Sequence, residues 1–163
     1  NRKNGTTVEV LGWDVEKHEG LFVGGFCCTT EGRRLARQLL NEGADVILPV
    51  AGKSVGWGAG AEVQTHGNVW LIGVDNDWAV AVPEFADIIL TSIEKRFDVS
   101  VVQAAKAIVE ETFTGGIHIG TLETGEVGLS PFHNFDALIS KGVKADLEQI
   151  KVDIIAGKIQ TRP

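Results

Sequence analysis

The sequence contains no methionine and no tyrosine, only four prolines and only two cysteines in 163 residues. Two cysteines cannot build a disulfide framework, and a chain this long buries roughly two thirds of its unfolded surface without such staples. No apolar run reaches about 18 residues, so no segment has the makings of a membrane-spanning helix. Positive charge is also scarce: 15 Lys and Arg stand against 22 Asp and Glu, a net charge of −7. Lys95-Arg96 and Arg33-Arg34 are the longest basic clusters, too short for a nucleic-acid surface, which needs a patch that displaces counterions. Asn1-Arg2-Lys3-Asn4-Gly5 does not open a signal peptide. A chain without methionine that starts at Asn1 is expected to lack an upstream segment.

Catalytic signatures are absent too. There is no G-x-S-x-G elbow and no kinase motif, and His18, His66, His118 and His133 are isolated, without zinc-ligand spacing. Histidines at the surface or hydrogen-bonded in the core are expected, and no metal site. Cys27 and Cys28 are adjacent, where a bridge would strain the backbone, and no histidine nearby would activate a thiolate. Buried free thiols are expected.

What is present is an alternation of short apolar runs with amphipathic segments. Thr6 to Leu11 is β-branched and reads as a strand. Thr29 or Thr30 can cap a helix through Arg33, Leu35, Leu39 and Leu40, with Gly43 past its end. Asp45 to Val50, Val69 to Val74 and Ile88 to Ile93 read as buried strands. Between the first two lies a glycine-rich turn, Gly52 to Gly60, passing into a short helix. Asp98 opens a helix in which Val99, Val102, Ala105, Ile108, Val109 and Phe113 form a core-facing stripe ending at Gly115-Gly116. Ile117 to Leu122 and Val127 to Leu129 read as a hairpin, and a last helix runs from about Ser140 to Ala156. The pattern predicts an α/β fold, a parallel sheet covered by helices on both faces. In such sheets ligands bind beyond the carboxyl ends of strands, which selects Gly52 to Gly60, Asp75 to Pro83 and the stretch near Lys95.

Gly56-Trp57-Gly58-Ala59-Gly60-Ala61 with Asp75 imitates a dinucleotide fingerprint, but its first glycine is the sixth residue after the strand and Trp57 crowds the phosphate position. Gly52-Lys53-Ser54 lacks the earlier glycine of a phosphate loop, since Ile47 stands there. Asp75 and Asp77 end a strand, where carboxylates accept hydroxyl hydrogen bonds, hold a cation or serve the turn. Lys95 after a strand can meet a ligand oxygen or remain a solvated lysine. Trp13, Phe22, Phe26, Trp57, Trp70 and Trp78 bunch near these loops and suit stacking on a flat ligand. Trp70 and Phe113 fit the core equally well.

The ordered motifs Gly-Ala-Asp-Val-Ile…Val-Ala-Gly (43–52), Leu-Ile-Gly-Val-Asp-Asn-Asp-Trp (71–78), Leu-Thr-Ser-Ile-Glu-Lys-Arg-Phe-Asp (90–98), Gly-Gly (115–116) and Val-Gly-Leu-Ser-Pro-Phe-His-Asn-Phe-Asp (127–136) resemble the basic membrane protein family. These are substrate-binding lipoproteins of ABC importers, including purine nucleoside receptors. The resemblance implies a non-catalytic, extracytoplasmic solute-binding protein of the type I periplasmic-binding-protein fold, lipid-anchored when intact. Residues 1–163 would be its second lobe, with 117–163 returning toward the missing first lobe. Its partners would be a purine nucleoside or similar small molecule and an ABC permease, with no cofactor. Carried over residue by residue, the family pattern makes Phe26 the stacking aromatic, Gly52 the loop glycine, Asp75 the ribose carboxylate and Lys95 the ribose ammonium donor. Lys53 after Gly52 and Trp78 after Asp77 depart from the family's usual residues and bear on base and sugar preference. A nucleotide-cofactor enzyme domain, or a ligand sensor of the same fold, is the alternative.

Overall fold

The computed structural model describes residues 5–161, and Asn1 to Asn4 lie outside them. The chain divides into two compact units, residues up to Ile72 and residues from Gly73 onward.

The first unit opens without the strand expected at Thr6 to Leu11. Val8 and Val10 are exposed there, and the ladder lies further on as a two-residue antiparallel pair, β1 (Trp13–Asp14) with β2 (Glu19–Gly20). Helix α1 (Thr29–Asn41) starts with Thr29 inside it and Cys28 as the capping residue. Thr29 does not cap because its hydroxyl donates to the Ser54 carbonyl, 3.0 Å away. Gly43, at φ 98°, ends the helix in the left-handed conformation that its missing Cβ permits.

Strand β3 (Val46–Ile47) pairs in parallel with β4 (Trp70–Asp75). Between them the glycine-rich stretch is not a turn but a helix, α2 (Gly52–Val63). Tertiary packing overrides the low helix propensity of glycine. A Cβ on Gly58 would collide with the Thr29 carbonyl, and one on Gly32 with the Val55 carbonyl, so α1 and α2 touch backbone to backbone. Glu62, buried between them, accepts from Arg33 Nε at 2.8 Å and Arg37 Nε at 2.7 Å. Leu35, Ala36, Ile47, Val55, Ala59, Val63 and Leu71 form the core of this unit.

The second unit takes up the end of β4 and continues through the short helix α3 (Trp78–Ala81), a 3-10 turn at Pro83–Phe85, and strand β5 (Ile89–Lys95). Helix α4 (Phe97–Val109), β6 (Val127–Leu129) and α5 (Lys141–Ile155) follow. The hydrogen-bonded order is β3-β4-β5-β6. The α/β fold expected from the sequence is therefore present, a mostly parallel sheet flanked by helices, with β6 added antiparallel to β5. That pairing replaces the hairpin expected with 117–122, because β6 finds its ladder on β5.

Trp78, Val82, Phe85, Ile89 and Phe135 make the second core, so Trp78 is no stacking platform. Helix α4 ends at Val109, short of Gly115, and none of its residues is buried. Val102, Ile108, Val109 and Phe113, expected to face a core, are exposed. Helix α5 lies where the last helix is expected, and Ser140 caps it, its hydroxyl accepting from the Val143 amide at 3.2 Å. No helix among the described residues is long and apolar enough to cross a membrane.

Candidate functional site

A cluster of interlocked polar groups fixes the carboxyl ends of β4 and β5. Ser130 sits beside β5, where its hydroxyl accepts from the Ser92 amide at 2.8 Å and its carbonyl accepts from the Thr91 hydroxyl at 2.8 Å. The Ser92 hydroxyl in turn accepts from the Trp78 amide at 3.0 Å, tying the loop after β4 to β5. Gly73 allows this closeness, since a Cβ there would run into the Trp78 ring.

The register then decides what stands at the strand ends. Lys95 is the last residue of β5 and pairs with Val127, and the Arg96 amide donates to the Glu126 carbonyl at 2.7 Å. Glu126 is held firmly: its carboxylate accepts from Ser100 Oγ at 2.6 Å and Thr124 Oγ1 at 2.6 Å, and meets His118 Nε2 at 2.7 Å. These hydrogen bonds, Ser100's foremost, hold its pKa down at about 2.

Asp75 ends β4 and faces Lys95 with Oδ1 to Nζ at 2.8 Å. Both side chains are solvent-accessible, so the pair itself contributes at most about 1 kcal/mol of stability. Asp75 also holds φ at 73°, a left-handed conformation that costs a non-glycine residue about 1–2 kcal/mol. The two residues line a cavity of about 350 Å³ with Asn76, Glu94, Arg96, Asp98 and Pro131. Unlike charges in an open cavity can exchange each other for the hydroxyls of a polar ligand, an ionised carboxylate accepting and an ammonium donating.

Of the four residues singled out from the sequence, Asp75 and Lys95 are thus brought together. Phe26 and Gly52 belong to the first unit. Phe26 is 80% exposed in the segment before α1, a free aromatic face. Gly52, at φ 75°, is the first residue of α2, where a left-handed backbone requires glycine. Gly56 to Gly60 lie inside that helix, which leaves no loop of free amides for a pyrophosphate. Asp77 serves the turn: its carboxylate accepts from the Ala79 amide at 3.1 Å and meets His133 Nε2 at 2.7 Å. Cys27 is exposed and Cys28 partly so, contrary to the buried thiols expected, because the segment before α1 carries little cover. Among the described residues no three potential metal ligands come together.

Glu94, Arg96 and Asp98 were not singled out as site residues in the sequence, although they flank Lys95 at the strand end already selected. The Glu126 network left no such signal, since it joins residues 26 positions apart through the β5–β6 pairing.

A family model for Bmp, described as ABC transporter substrate-binding protein PnrA-like, matches residues 22–160. No curated protein matches. Among solved structures, the chain is similar to an ABC transporter solute-binding protein from Aeropyrum pernix K1, with 26% identity and a TM-score of 0.72 over 86% of this chain and 46% of that one. It shares its fold with a transcriptional activator of the comK gene from Bacillus halodurans, at 20% identity and TM-score 0.72 over 91% of this chain and 50% of that one. A solute-binding protein from Conexibacter woesei DSM 14684 is similar at 19% identity and TM-score 0.65, covering 88% and 46% respectively. The chain spans about half the length of these structures.

Proposed function

The chain belongs to the Bmp family of PnrA-like ABC transporter substrate-binding proteins, and from that premise we propose that it binds a nucleoside-like solute for import rather than transforming it. The observation that carries this reading is the Asp75–Lys95 pair at the ends of adjacent strands, 2.8 Å apart in an open cavity. A ribose offers vicinal hydroxyls that donate to a carboxylate and oxygens that accept from an ammonium, so it can replace the pair's mutual contact on both sides. In the first unit Phe26 offers an exposed ring and Gly52 a glycine backbone at the start of α2, and the family pattern assigns both to the ligand. The chain acts as the second lobe, and a further lobe completes the cleft, in line with solved structures about twice as long. The protein works outside the cytoplasm and hands its solute to a membrane permease.

A ligand sensor of the same fold is the second reading, favoured by the fold shared with the Bacillus halodurans activator. Ligand-driven closure serves both.

The test is thermal unfolding against inosine, adenosine, guanosine, riboflavin, NAD and ATP, for this chain and for any longer form that contains it. Ligand at about 100 times its dissociation constant adds about 2.7 kcal/mol and raises the midpoint by roughly 5–10 °C. The expected result is a rise with unphosphorylated nucleosides. Response to NAD or ATP alone would overturn the reading in favour of a phosphate-dependent function. In the responding form, Lys95→Ala weakens binding by about 1.5–3 kcal/mol, roughly 10- to 150-fold. Unchanged affinity would remove Lys95 from the site.

A further inference from the structure

Cys27 and Cys28 contain the only sulfur atoms of the chain, which has no methionine. Their Sγ atoms lie 3.9 Å apart, at the entrance to α1, with Cys27 exposed and Cys28 partly so. Two sulfurs bound to one cation at about 2.3 Å with a tetrahedral angle stand about 3.8 Å from each other. The two thiols therefore hold the spacing of a chelate before any ion arrives. We propose that Cys27 and Cys28 form a dithiolate site for a soft, thiophilic d10 cation.

The surroundings fit this chemistry. Solvent access leaves the remaining coordination positions open to water or a small ligand. Hard cations are disfavoured, since thiolates select soft ones and the two sulfurs bring no oxygen donors of their own. Binding involves no redox step: two S–H bonds break, two protons pass to solvent, and two sulfur–metal bonds form.

Cadmium ion is the probe, titrated into the chain kept reduced with a phosphine. The thiolate-to-cadmium charge-transfer absorption in the ultraviolet can arise only from these two residues. One cadmium per chain, two protons released, and a chain that stays the same size by gel filtration are expected. Cys27→Ser and Cys28→Ser each weaken binding at least ~100-fold, the loss expected when a chelate becomes a single ligand. Thermal unfolding of both variants checks that they fold, and the alanine variants serve if serine perturbs the segment. The proposal is overturned if no charge-transfer band appears, if either single variant binds like the parent, or if cadmium joins two chains.

Discussion

Asp75 stands at the end of β4 in a conformation that aspartate enters at a cost, and it spends its carboxylate on a solvent-exposed lysine. Strain at a position whose visible contact returns little supports the proposal that Asp75 is kept for a ligand. Phe26 makes the same point with apolar surface. A ring 80% exposed contributes little to folding. Phe26→Ala is accordingly expected to change stability by no more than about 0.5 kcal/mol. It weakens nucleoside binding by about 1–3 kcal/mol, the worth of a base stacked on an aromatic. Calorimetric titration beside thermal unfolding separates the two: a lower midpoint with intact affinity would make Phe26 structural. Trp78 shows the opposite outcome, since a similar position in sequence puts its ring in the core.

Among the elements, α2 carries the clearest lesson. Its glycines looked like a loop because glycine is the poorest helix former after proline. They are helical because α1 lies too close for side chains at Gly58. Gly58→Ala therefore reverses the usual gain of about 1 kcal/mol for Gly to Ala in a helix. The expected effect is a destabilisation of about 1–3 kcal/mol from overpacking, seen as a midpoint lowered by several degrees. A neutral or stabilising result would mean that α1 and α2 can move apart. Helix α4 has an apolar stripe at helical spacing in the sequence and none of its residues is buried. Periodicity registers a face suited to burial and carries no information on what lies against it.

For the molecule as a whole, acid is the sharpest probe, because each unit contains one buried carboxylate held well below its usual range. Glu62 stands at about 2 against an ordinary 4.5, through hydrogen bonds from Arg37 first and Arg33 next, and Glu126 stands at about 2 as well. A depressed native pKa contributes stability that is complete above the unfolded value and is lost as pH falls through the folded one. Stability is thus expected to hold down to about pH 4.5 and to drop between there and about pH 2. Glu62→Gln lowers the neutral-pH stability and flattens that fall, measured by denaturant unfolding across the pH series. An acid limb of unchanged steepness would show that Glu62 gains nothing from its arginines.

Local chemistry in the sequence was sufficient to determine the strands β4 and β5, the glycine that ends α1, the extent of α5, the α/β class, and the position of Asp75 and Lys95 at the carboxyl ends of strands. Apolar runs and a left-handed glycine act within a few residues and need no partner. Only the tertiary structure decided that 52–63 is a helix, that β6 pairs with β5 and not with 117–122, and that Trp78 is buried while Phe26 is free. It also brought Asp75 within 2.8 Å of Lys95. Each of these depends on which surfaces meet across long stretches of chain, and close packing and strand register are properties of the pair rather than of either segment.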